Sequence, residues 1–332
     1  MVKPKVVTLG GATWDAILAA DNSRVLESDE RQWLAFPYGE KLHLSGARFG
    51  FGGGAANVAV GLSKLGIATE FVGALGDEHL GDAILENFRT VRVGTTHVQR
   101  LDNRTSGLSI VLTAPDGERT ILLNRGANDH LDPTAIDWQT LGEADWWHVS
   151  SLSGEAGSIY DELADRAATT DVKLSLNPGA TQVARGADGL HMALKQAALL
   201  IVNREEAAKL LGPKAPVDQP AKMAATLQGI TGGTVAVTDG RAGAYLDDGT
   251  DRLTLGSATP DRVNSLGAGD AFSTGMLGSL IKGQSLAEAG RLASLNASAV
   301  VAEYDAQKGL LHWDALTDRA ATRLDFQASP SK

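Results

Sequence analysis

Two hydrophobic rhythms alternate along the chain. Short β-branched or apolar runs at Lys5–Leu9, Glu70–Ala74, Trp146–Val149, Val172–Leu176, Leu199–Val202 and Thr234–Thr238 are each closed by Gly, Ser, Asn or Pro, which is how buried strands read. Between them lie amphipathic stretches, Ala55–Leu65, His79–Arg89, Glu155–Ala168, Arg204–Leu211 and Gln219–Leu227, with glycine stops at Gly66 and Gly212. Strand and helix in alternation predict βαβ units. The expected fold class is therefore α/β, a doubly wound, mainly parallel sheet with helices on both faces.

Residues 17–51 and 96–123 break that rhythm. His97–Leu101, Ser106–Thr113 and Arg119–Leu123 alternate with period two and are punctuated by Asp102-Asn103 and Asp116-Gly117, hairpin signals with no helix between them. These pieces are expected to form a small antiparallel sheet standing off the main one, either as decoration or as a lid over a ligand cleft. The expected organisation is a discontinuous main domain (residues 1–16, 52–95 and 124–325), the lid (17–51 and 96–123) and a loose tail at 326–332.

Composition narrows the function. The net charge of −10 over 332 residues would repel a polyphosphate backbone, so nucleic acid is not an expected partner. No apolar run approaches the roughly 18 residues of a membrane helix, and the start MVKPKVVTLG lacks a signal-peptide apolar region, so no membrane partner and a cytoplasmic address are expected. Cysteine is absent, which excludes disulfides, thiolate metal sites and a cysteine nucleophile. The 38 glycines are in excess of the usual share of about 7%, and their placement carries the chemistry.

One cluster is Gly50-Phe51-Gly52-Gly53-Gly54-Ala55-Ala56-Asn57. It nominally matches a dinucleotide fingerprint, but it does not follow the first strand, and Glu70 comes too early to be the ribose-binding acid. Glycines here let a backbone approach a ligand closely, with Asn57 in the first turn of a helix; the residues alone equally allow a tight turn with a capping asparagine. The second cluster, Asn264-Ser265-Leu266-Gly267-Ala268-Gly269-Asp270, opens a helical stretch. Such a turn aims free N–H groups and the positive helix end at one point, and an acid in its first turn can take a proton from an attacking hydroxyl. That is what phosphoryl transfer requires, although Asp270 also reads as an ordinary first-turn carboxylate.

Taken together, GGGAANVAVGLSKLG and NSLGAGDAF resemble the two signatures of the ribokinase-like (PfkB) carbohydrate kinases. Between and before them stand Gly10-Gly11-Ala12-Thr13-Trp14-Asp15, Gly73-Ala74-Leu75-Gly76-Asp77, Asn177-Pro178, Asn203-Arg204-Glu205-Glu206 and Val237-Thr238-Asp239-Gly240. The resemblance spans essentially the whole chain and implies a ribokinase-like fold with a β-sheet lid. It implies Asp270 as catalytic base, with the amides of Gly267, Ala268 and Gly269 as an anion hole. Asp15 and Asn57, with Gly53 and Gly54, match the sugar-binding positions. Asn203 and Glu206 match the motif that organises Mg²⁺ and phosphates through water, and Thr238, Gly240, Gly243 and Asn296 match the ATP side.

The resemblance implies an ATP-dependent kinase of a small sugar, ribose or a ketohexose such as fructose, as a homodimer through the lid. A nucleoside kinase, with Trp14, Phe36 and Tyr38 as stacking surfaces, and a non-catalytic sugar binder are the alternatives. Asn264 and Leu266 depart from the aspartate and small residue usual in the family, and Asp305-Ala306-Gln307-Lys308-Gly309 only loosely resembles its C-terminal turn. Removing a carboxylate there implies weak or absent K⁺ activation.

Overall fold

The computed structural model describes residues 4–20, 23–28, 31–114, 119–258, 266–323 and 326–331. The strands in chain order are β1 (Lys5–Leu9), β2 (Thr13–Ala20), β3 (Arg24–Ser28), β4 (Arg31–Ala35), β5 (Leu44–Gly52), β6 (Ala68–Gly76), β7 (Val98–Leu101) and β8 (Gly107–Thr113). They continue with β9 (Arg119–Asn124), β10 (Trp146–Val149), β11 (Lys173–Leu176), β12 (Ala197–Asn203), β13 (Thr234–Thr238), β14 (Ala244–Asp247), β15 (Arg252–Leu255) and β16 (Ser329–Pro330). The large sheet runs β16-β15-β14-β13-β12-β11-β10-β1-β6-β7 and is parallel from β13 to β7.

Its central strands are continuous apolar runs because both faces are covered. In β12, Leu200 and Val202 join one core, against the Ile159–Ala168 and Pro220–Thr231 helices. Leu199 and Ile201 join the other, against Gly54–Lys64, Ala268–Ile281 and Leu286–Val301. The doubly wound architecture expected from the sequence is therefore present. β1 leads to β6 on one side and has β10 on the other, so the sheet changes winding direction between β1 and β10, the place where such sheets open a crevice.

The small sheet, order β5-β2-β8-β9, stands apart, and β3-β4 forms a separate exposed hairpin. Several expectations are corrected here. His97–Leu101 was expected in the lid, but β7 pairs in parallel with β6 at the edge of the large sheet. The lid sheet is mixed, since β2 and β8 run parallel. It begins at Thr13 and extends through Gly52 and Asn124, not at the expected boundaries. The tail is tied down: Phe326 is buried in the core and β16 pairs with β15. The Asp116-Gly117 turn signal lies outside the described residues.

Candidate active site

Gly10 and Gly11 after β1 and Ser151–Ser153 after β10 floor a cavity of about 340 Å³ beneath the small sheet. Asp15, Gly53, Gly54, Asn57, Gly267 and Asp270 all line it, so residues spread over most of the chain meet at one cavity. β1 stops at Leu9, and Asp15 is the third residue of lid strand β2. Its carboxyl is buried, and that desolvation raises its pKa; hydrogen bonds from Thr13 (2.8 Å) and Ser109 pull in the other direction.

Gly53 precedes the Gly54–Lys64 helix at φ 94°, and a Cβ there would meet the backbone of Gly11 and, at 2.6 Å, Ala12 Cα. Its conformation lets the helix start against the β1 turn, which places Asn57 in the first turn of that helix. Asn57 Nδ2 donates to Asp270 Oδ2 at 2.7 Å. The other end of the amide, Oδ1, accepts from Gln307 Nε2 at 3.0 Å, and Gln307 Oε1 accepts from Asn87 Nδ2 at 2.9 Å. This chain of three amides fixes which way Asn57 points. Asp270 is half-buried, and desolvation raises its pKa to about 6; the Asn57 hydrogen bond lowers it and the nearby Glu206 raises it further.

Gly267 caps the Ala268–Ile281 helix at φ 75°, with Ala306 packed where a Cβ would project. The first intrahelical bond is Ala271 N–H to Gly267 C=O (2.8 Å), leaving the preceding N–H groups without partners in the helix. Across this turn lies a second cavity of about 160 Å³, lined by Thr238, Gly240, Gly243, Ala268 and Gly269, and by Phe272 and Ala297. One helix N-terminus thus separates the two cavities, presenting Asp270 and Gly267 to one and Ala268 and Gly269 to the other.

Three expected residues fall outside both cavities. Asn296 is fully buried, donating to Ala271 C=O (2.8 Å) and accepting from Leu311 N–H (3.1 Å), so its assignment to the nucleotide side is corrected: it staples helices together. Asn203 and Glu206 form a reciprocal capping box, Glu206 N–H to Asn203 Oδ1 (2.9 Å) and Asn203 N–H to Glu206 Oε2 (2.8 Å). Burial raises the pKa of Glu206, and its charge reaches Asp270. Asn264 lies outside the described residues.

Among the described residues no cluster of three His, Cys, Asp or Glu side chains could hold a metal, and no helix is long and apolar enough to cross a membrane. Trp14 stacks on Phe49 (4.8 Å) on the other face of β2 from Asp15, and neither Phe36 nor Tyr38 lines the cavity. Sequence reasoning named Gln307 only as part of an irregular turn, without its bond to Asn57, and passed over Arg125, which lines the first cavity.

Residues 4–313 match the model of the pfkB family carbohydrate kinases, and the chain belongs to that family. It is accordingly an ATP-dependent phosphotransferase with an alcohol group as acceptor. It is 28% identical to an uncharacterized sugar kinase of Archaeoglobus fulgidus (76% of this chain, 98% of the relative). It is 27% identical to a ribokinase of Bacillus subtilis (78% and 84%). Its fold matches the crystal structure of a nucleoside kinase of Methanocaldococcus jannaschii at a TM-score of 0.78 and 19% identity (97% of this chain, 100% of that one).

Proposed function

We propose that the chain transfers the γ-phosphoryl group of ATP to a hydroxyl of a small sugar of pentose or ketohexose size bound between Asp15, Asn57 and Asp270. The observation that carries this reading is the Gly267–Asp270 turn between two cavities, of which one carries the carboxylates Asp15 and Asp270 and the other none. Asp270 takes the proton of the acceptor hydroxyl as its oxygen bonds to the γ-phosphorus. The bond from that phosphorus to the β,γ-bridging oxygen breaks, ADP leaves with the electron pair, and Asp270 returns the proton to solvent. The free N–H groups of Gly267, Ala268 and Gly269 receive charge on the moving phosphoryl oxygens.

Mg²⁺ takes oxygen ligands and keeps water, which suits Glu206: Oε2 is held by the capping box, and Oε1 remains to reach a metal on the nucleotide phosphates through water. Bound there, the ion would neutralise phosphate charge. The apolar wall of the acceptor cavity is Ile121, Leu123 and Leu131 rather than aromatic, which favours a sugar over a nucleoside. The outer lid face, with Phe49 and Leu122 exposed at 62% and 53%, supports a homodimer through the lid, tested by light scattering.

Thermal shifts with pentoses, hexoses and nucleosides, each with and without an ATP analogue and Mg²⁺, test the reading. A sugar shift enhanced by the analogue is expected; a nucleoside-only shift would replace the sugar, and no analogue-dependent shift would remove the kinase. Exchanging Na⁺ for K⁺ is expected to change turnover less than about twofold, since an amide at position 264 attracts a cation less than a carboxylate does.

A further inference from the structure

Arg125 is a guanidinium without an acidic partner in a cavity that otherwise carries carboxylates. It follows β9 and lines the same cavity as Asp15 and Asp270, beside Leu123 of the lid and Ser153 of the loop after β10. Its Nη1 donates to Ser153 Oγ at 3.2 Å, and among the described residues it makes no ion pair. Arg100 pairs with Asp77 and Asp82, Arg204 with Asp239 and Arg291 with Glu288, whereas Arg125 is an exposed residue whose guanidinium stays available to a ligand in the cavity.

The surroundings hold Arg125 and Ser153 in place without using up their donors. Asn124 Oδ1 accepts from Gly126 N–H (3.0 Å), fixing the turn that carries Arg125. Buried Gln182 grips both sides of Leu152, accepting from its N–H (3.4 Å) and donating to its C=O (2.6 Å), which sets the loop that presents Ser153. Ser153 precedes a short 3-10 turn but does not cap it; its hydroxyl accepts from Arg125 and keeps its own proton to give. Asn128, the neighbouring amide in the wall, is closed off by a two-way clamp on Ala12 (2.9 and 3.1 Å).

A neutral sugar entering this cavity would strip water from an unpaired guanidinium and return only ordinary hydroxyl contacts. An anion would turn the same desolvation into a fork of charge-assisted hydrogen bonds. We propose that the acceptor sugar carries an anionic group, a phosphate or a carboxylate, received by Arg125 and Ser153 while a hydroxyl elsewhere on the same molecule meets Asp270. This rests on the kinase reading above and narrows its substrate class.

The test measures sugar-stimulated ADP release with Mg-ATP for three panels: neutral pentoses and hexoses, their phosphate monoesters, and the corresponding sugar acids. At least one anionic compound is expected to exceed its neutral parent in kcat/KM by roughly 100-fold, and which panel supplies it separates phosphate from carboxylate. Arg125→Gln is expected to erase that preference mainly through KM, and Arg125→Lys to keep part of it. An unchanged thermal shift with an ATP analogue shows that the variants fold. A wild-type preference for neutral sugars, or a preference that survives Arg125→Gln, overturns the inference while leaving the kinase intact. No sugar-stimulated ADP release from any panel overturns the kinase reading and this inference with it.

Discussion

The cavities on the two sides of the Gly267–Asp270 turn share glycine-rich linings and differ in the polar groups set among them. The side that holds Asp15 and Asp270 sets tethered polar side chains among its glycines and leucines: Thr13 and Ser109 behind Asp15, Gln307 behind Asn57, Asn57 behind Asp270. On the other side Gly240, Gly243, Gly256, Ala258, Ala268, Gly269 and Ala297 leave room beside Phe272 and Val301, and the polar lining, Thr238, Arg241, Ser257 and Ser294, carries no carboxylate. A site that must hold a reacting hydroxyl within a fraction of an ångström needs tethered groups. A site that accepts a large flat ring needs an apolar slot.

Four perturbations probe that contrast. Asp270→Asn, which removes the base but keeps the shape, is expected to lower sugar-dependent ADP release by roughly 10³-fold while the sugar thermal shift persists; retention of more than a few per cent of turnover would remove Asp270 from its role. Ala297→Leu should act on the other side alone, raising KM for ATP by about tenfold through overpacking and leaving sugar binding unchanged.

Gln307→Leu strips the partner from behind Asn57 and leaves Asn87 unpaired, so kcat should fall about tenfold and stability by about 1–3 kcal/mol in urea titration. If only stability moves, the amide chain does not orient the base.

The remaining effects concern pH. Activity should rise through about pH 6 as Asp270 ionises, and that limb should vanish in any residual Asp270→Asn activity. Stability carries two opposed contributions over nearly the same range. Asp270 binds its proton more tightly folded than unfolded, so its contribution is lost as pH rises from about 4 to about 6. His148 is buried between Ser175 (2.9 Å) and Ser150 (3.3 Å), and burial depresses its pKa to about 4. Its contribution is present above the unfolded value of about 6.5 and is lost as pH falls toward about 4, up to about 3 kcal/mol. A His148→Gln variant should therefore lose less stability on acidification than the wild type in denaturant titrations.

The parallel core and the two glycine turns were legible because each has a local cause: apolar runs buried on both faces, and backbone that needs Gly53 and Gly267. What failed had causes outside its own segment. The turn at Asp102-Asn103 is real, with Asn103 at φ 58°, but it carries the chain from the edge of the large sheet into the lid instead of closing a hairpin. Whether β7 pairs forward with β8 or back with β6 depends on a strand some 25 residues earlier, which no local pattern reports. Asn296 was placed on the ATP side by the resemblance alone; a buried amide in an apolar helix needs partners, and the helix start at Ala271 and the turn at Leu311 supply them. Arg125 gave no local signal because its meaning lies in the acid it lacks.

The turn between the cavities also bears on how the enzyme is rinsed between cycles. The residues lining the two cavities form separate sets, meeting only at the start of one helix. On the kinase reading proposed above, each product would have its own door: the phosphorylated acceptor would depart past the lid, and the spent nucleotide between the β13–β14 turn and the Leu286–Val301 helix. Neither would then have to wait for the other to clear a shared passage. Departure in random order, with both products inhibiting independently, is the traffic this partition permits.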